Sequence, residues 1–194
     1  MQINTTPSTP RLDALMAVLS RSARARLFRA AANGVRKLVT AHLRLTARTH
    51  HKTAQRLGAE PTGHLREAEK SVAVGSRGFD AHVVIRSPGF RRVFGAFTVR
   101  PVIAKALTIP VHAISYGKRV AQLRAEGRVI FRPKGADYLA YSPGPGQVVP
   151  LYILAKSVLI PQDRSLLPTD AAMGGAAKEG ILGVIRRALE KKGD

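Results

Sequence analysis

Between Arg11 and Arg56 the chain carries eleven Lys or Arg residues and a single acid, Asp13, yet keeps an apolar stripe of helical period. That combination narrows the folds open to it, because the stripe has to be covered while the cationic faces stay in water or meet opposite charge. Leu12, Leu15, Met16, Leu19, Ala23, Leu27 and Ala31 recur every three or four residues, with Arg21, Arg24 and Arg26 largely off that face. Thr9 and Pro10 form an N-cap and first-turn pair, since the hydroxyl accepts from an orphan N–H and the proline gives up none that matters. Val35, Leu38, Val39, His42 and Leu45 resume the pattern beyond Gly34, as a second helix or a continuation, and Gly58 with Pro61 ends it. The reading is a flexible N-terminus over residues 1–9, a basic helical arm over 10–58, and an α+β domain over 59–194.

Within that domain, Thr62 is expected to cap a short helix from His64 to Lys70. Valine and isoleucine then predict a hairpin of Ser71 to Val74 and Ala81 to Arg86, with Gly75, Gly78 and Asp80 as turn material. Phe90 to Arg100 sets aromatic residues beside arginines in a loop or edge strand. Further strands are expected at Leu107 to His112, Arg128 to Arg132, Tyr138 to Tyr141 and Val148 to Ala155, the last two joined through Ser142-Pro143-Gly144-Pro145-Gly146 as a meander. Asp170 is the expected N-cap of a C-terminal helix whose Ile181, Val184, Ile185, Ala188 and Leu189 share a face. Gly174, Gly175, Gly180 and Gly183 each cost that helix roughly 1 kcal/mol against alanine, so it needs close packing within or between subunits. The expected fold is α+β: long N-terminal helices, a small antiparallel sheet and a C-terminal helix.

Catalytic chemistry finds little footing. Tyr152 and Lys156 match the Y-x-x-x-K spacing in which a lysine lowers a tyrosine pKa for proton transfer, but no strand leads through G-x-G-x-x-G into a helix. A strand with a buried tyrosine and a snorkelling lysine is the preferred reading. Among the six histidines only His50 and His51 are adjacent, and neighbouring helical positions point about 100° apart, too far to share an ion. Cysteine is absent, and the acids are scattered without a pair or nucleophile motif. No enzyme activity, cofactor or metal is expected.

Charge speaks to partners. With 32 Lys and Arg against 12 Asp and Glu, the net charge is +20, which opposes self-association and favours a polyanion or an acidic protein. Candidate contacts are Arg24, Arg26, Arg29, Arg36, Lys37, Arg44, Arg48 and Lys52 on the arm. Base stacking is poorly supported, since the arm has only Phe28 and the chain no tryptophan. The longest apolar run, Val148 to Ile160, is broken by Pro150 and Lys156, so a soluble, unexported protein without a membrane span is expected.

The order of elements, with RLGAEPTGHLREAEKSV at Arg56–Val72, VRPVIAKALTIPVHAISYGKR at Val99–Arg119 and VPLYILAKSVLIPQDRSLLP at Val149–Pro168, resembles the neck, tail-completion and minor tail morphogenesis proteins of long-tailed bacteriophages. This is the lambda minor tail protein Z-like group, and the likeness covers roughly residues 55 to 190. It implies a structural virion protein in the neck or tail, held in the host cytoplasm during assembly, that forms a ring of its own copies between head connector and tail. The neighbouring head-connector and tail proteins would be its partners, with packaged DNA as a further contact. It also implies LTIPV and VPLYILAKSV as central strands, and carries over no ligand-binding residue. Candidate subunit contacts are Leu19, Leu27 and Leu38 on the arm and Phe90, Arg91, Arg92 and Phe94 in the arginine-rich segment. The alternative is a basic DNA- or RNA-binding accessory protein that uses the arm.

Overall fold

The computed structural model describes residues 21–77 and 80–190 of the chain. The expected helix start at Thr9 and Pro10, the stripe residues Leu12, Leu15, Met16 and Leu19, the turn residue Gly78 and the terminal Lys191 and Lys192 lie outside the described residues. The protein is α+β, and its chain divides into two compact units. Of the described residues, one takes 21–47, 64–77, 80–93 and 164–190; the other takes 48–63 and 94–163.

In the first unit, helix α1 (Arg21–Thr49, its last two residues falling in the other unit) runs unbroken through Gly34. Leu27, Ala31, Val35, Val39 and Leu43, four residues apart, form its buried stripe, and the last three have no measurable exposure in the case of Val35, Val39 and Leu43. The stripe is covered by the chain itself. Leu65 and Ala68 of helix α3 (His64–Lys70), Val72 and Val83 of a hairpin, Phe90, Val93, Leu166, and Met173 and Ala177 of helix α5 (Asp170–Glu190) complete one core with α1.

The hairpin pairs β1 (Val72–Arg77) with β2 (Asp80–Ile85), so both strands reach closer to the turn than valine content alone suggested. Gly75 is a strand residue, not part of the turn: it faces His82, whose ring lies where a Cβ would be. Phe90 to Val93 is also not extended, because Pro88–Val93 coils into a 3-10 helix that drives Phe90 and Val93 into the core. At the start of α5 the Thr169 hydroxyl, one residue before Asp170, accepts from the Ala172 N–H at 3.3 Å and performs the capping. Asp170 occupies the first turn instead, where its charge complements the helix dipole.

The second unit contains helix α2 (Lys52–Leu57), closed by Gly58 in the left-handed region, and a four-stranded antiparallel sheet in the order β4-β7-β6-β5. Its strands are β4 (Leu107–Pro110), β5 (Ile130–Phe131), β6 (Tyr138–Tyr141) and β7 (Val149–Ala155). The meander of β5, β6 and β7 matches expectation, whereas the LTIPV strand β4 lies at an edge and only VPLYILA is central. Register slips between Leu139 and Ala140, leaving Leu151 as an extra residue on β7, so that Leu151 and Tyr152 are both buried although adjacent. The displaced Leu151 carbonyl accepts from Val111 N–H at 2.9 Å and from the fully buried Ser115 hydroxyl at 2.6 Å. Leu123 and Ile130 join Leu151 and Tyr152 in the core.

Three short elements have no periodic signal to announce them. Helix α4 (Val120–Ala125) is only six residues long; Arg119 N–H donates to Gln122 Oε1 at 2.6 Å at its start, and Gly127 at positive φ follows its end. Strands β3 (Phe97–Val99) and β8 (Val158–Ile160) pair over three residues each. Beside α4, Lys118 hydrogen-bonds Glu126 at 2.6 Å and, with Arg128, holds that carboxyl below its ordinary pKa.

Candidate anion-binding groove

Helices α1 and α5 touch backbone to backbone. A Cβ on Gly34 would collide with the Ala176 carbonyl, and one on Gly180 with the Ala30 carbonyl. The two Ala-x-x-x-Gly steps, Ala30 to Gly34 and Ala176 to Gly180, are thus the crossing point, and glycine is there because no side chain fits. Gly34 therefore joins the two helices and does not break its own.

Close approach leaves the long side chains flanking the crossing to form walls. A groove of about 530 Å³ runs along it, with Arg26, Arg29 and Lys37 of α1 and Arg187 of α5 on its rim. Ala30, Gly34, Gly180, Gly183, Val184 and Ala188 contribute the small and apolar surface between. All four cations are exposed, and no ion pair is formed by any of them among the described residues. The one acid in the lining, Glu179, lies 3.8 Å from Arg186, an exposed contact of little energetic consequence. The groove is cationic at its walls and nearly bare at its floor.

Of the eight arm cations singled out in the sequence, the fold brings Arg26, Arg29 and Lys37 together here. Arg44 instead pairs with Glu69 at 2.9 Å. Arg48 and Lys52 belong to the second unit, and Arg24 and Arg36 are half-buried on α1 outside the lining. Asn33, Glu179, Gly183 and Arg187 complete the groove without having been singled out for it. The paired Ala-x-x-x-Gly steps were the one sequence signal that could have joined the two helices.

The candidate subunit contacts also separate. Leu19 lies outside the described residues; Leu27 and Phe90 are buried within the chain, and Leu38 packs against the first core. Arg91 is exposed, Arg92 half-buried, and Phe94, in the second unit, is 47% exposed. Further apolar side chains of the second unit are also exposed, two of them fully or nearly so. Val102 and Ile103 stand 97% and 100% exposed between β3 and β4. On the sheet face opposite Tyr152, Ile109, Ile153 and Tyr138 sit across from one another on β4, β7 and β6, with Ile153 46% exposed.

Tyr152 is buried in β7. Its hydroxyl donates to the Lys118 carbonyl at 2.9 Å, and burial, followed by the Glu126 charge, raises its pKa above 10.0, the reverse of what Y-x-x-x-K proton transfer needs. Lys156 lies exposed beyond the end of β7. The histidines are dispersed: His42 Nε2 donates to the Ser165 carbonyl at 2.9 Å, His50 meets Asp163 at 2.9 Å, and His112 Nδ1 accepts from Ile114 N–H at 3.2 Å. Among the described residues, no group of three or more His, Asp or Glu could hold a metal ion, and no helix is long and apolar enough to cross a membrane. No known family model, curated protein or solved structure matches this chain.

Proposed function

We propose that this chain is a structural subunit of a phage or prophage neck, of the tail-completion kind, joining head connector to tail as a ring of its own copies bound to neighbouring head and tail proteins. The observation that supports this reading most is the apolar surface exposed on the second unit, above all the Val102-Ile103 tip, with Ile153 exposed between the half-buried Ile109 and Tyr138. A chain of net charge +20 repels its own copies, so stable contact between them requires apolar area to offset that repulsion. The resemblance of this chain's order of elements to the phage group supports the same reading.

The test is a Val102→Asp, Ile103→Asp double variant. Both side chains are surrounded by solvent, so the melting temperature should stay within about 2 °C of the parent. Incorporation into particles should nevertheless fall at least about tenfold, equivalent to the loss of about 1.4 kcal/mol of contact energy. Undiminished incorporation would contradict the proposed contact.

Nucleic-acid binding is the second reading, favoured by the shared face of Arg26, Arg29 and Lys37. Under it, log affinity for a duplex falls by about 0.9 per phosphate contact for each unit of log salt, and an Arg29→Ala, Lys37→Ala variant lowers that slope by about two contacts.

A further inference from the structure

We infer that the α1–α5 groove is a docking site for an acidic amphipathic helix of a different protein chain, with carboxylates against the rim cations and apolar side chains on the floor. The groove would accept such a helix whether or not the chain is part of a particle.

Gly183 points to an occupant. Gly34 and Gly180 are explained by the crossing, since each would drive a Cβ into the opposite backbone. Gly183 also lines the groove, yet among the described residues a Cβ on it meets nothing within 4 Å, and its φ is not among the positive values. Inside a helix it costs about 1 kcal/mol against alanine with no packing gain within the chain. What it does is keep the floor open beside Val184. Gly174 and Gly175 are equally uncrowded but lie outside the lining, and nothing in the structure accounts for them.

The rim selects the occupant's charge and length. Arg26, Arg29 and Lys37 are spaced along α1 over eleven residues, about 16 Å of helix, and Arg187 faces the groove from α5. A facing helix of about three turns matches that span. Duplex DNA would engage exposed arginines through phosphates but has no use for the apolar lining that Val184 and Ala188 supply, and the lining holds no aromatic side chain for a single-stranded base. This chain's own segments are poor occupants: its 12 acids are scattered, no segment is acidic, and a second copy brings another +20. The partner is therefore a different, acidic chain.

The probe is a labelled, end-capped peptide of about 14 residues with leucine every third or fourth position and glutamate and alanine elsewhere. A scramble of the same composition and a DNA duplex of about 14 base pairs are the comparisons. Fluorescence anisotropy with the full chain, at about 150 mM salt, should give at least about tenfold tighter binding of the patterned peptide than of either comparison. Gly183→Leu, which adds a good helix former where there is room, should melt no lower than the parent. It should weaken the patterned peptide about tenfold while leaving duplex binding unchanged. Arg29→Ala with Lys37→Ala should weaken it as well and keeps the test valid if Gly183→Leu does not fold. Equal binding of the scramble would mean unpatterned charge attraction; tighter duplex binding indifferent to Gly183→Leu would mean a phosphate-contacting surface. Either of these, or binding of none of the three probes, overturns the inference.

Discussion

At the residue scale, two glycines of helix α5 occupy opposite environments. Gly180→Ala should destabilise the first unit by about 1–3 kcal/mol, because the new methyl meets the Ala30 backbone and no flexible side chain can yield. Gly183→Ala, three residues on, should stabilise it by up to about 1 kcal/mol through helix propensity alone. Urea unfolding of the two variants checks the pair, and equal effects would refute the crossing geometry. Tyr152→Phe removes the hydroxyl bond to the Lys118 carbonyl and should cost about 1 kcal/mol at neutral pH. Because folding raises the Tyr152 pKa, the native state holds its proton more tightly than the unfolded chain; the resulting stability is complete below 10.0 and is lost as pH rises through the folded value. Parent and variant should therefore converge in unfolding experiments carried above that pH. Tyr152 is the buried strand tyrosine that its sequence context suggested, but neither its Lys118 partner nor the room around Gly183 was legible, since a residue type states what it can tolerate and not what lies beside it.

At the scale of elements, periodicity identified what was long enough to display it. Leu27, Ala31, Val35 and Val39 of the expected stripe and the valines of β1 and β2 located α1 and the hairpin, and β6 begins and ends where expected, but the stripe ends on buried Leu43 and leaves Leu45, which the sequence pattern places on it, 63% exposed. Helix α4 and strands β3 and β8 are held by a few tertiary bonds and show less than two turns or two full alternations, too few to register. The β7 bulge was illegible for another reason: Leu151 and Tyr152 read as strand neighbours on opposite faces, and only the slipped register buries both. Its support is local. Ser115→Ala removes a fully buried hydroxyl at 2.6 Å from the Leu151 carbonyl and should cost about 1–2 kcal/mol, leaving Val111 N–H as the remaining donor. Amide exchange should accelerate in β7 and the 113–115 turn while the α1 core stays protected; uniform acceleration would mean that the bulge is not held locally.

At the scale of the whole molecule, the governing fact is a net charge of +20 on a chain that covers its own basic helix. The sequence made the charge and three of the four rim cations legible. It did not make the groove legible, because Arg187 comes from the opposite end of the chain and periodicity never says which two faces meet. Nor did it foresee that the arm's stripe would be covered from within the chain, which leaves the bare apolar area on the second unit as the better candidate for contact with other copies. The most direct test of the assembly proposal is quantitative mass spectrometry of gradient-purified particles from an induced lysate of the source strain. The account predicts peptides of this chain at a small, fixed ratio to the portal protein across independent preparations. Absence from particles, with the chain left in the soluble or nucleic-acid-bound fraction, would contradict it.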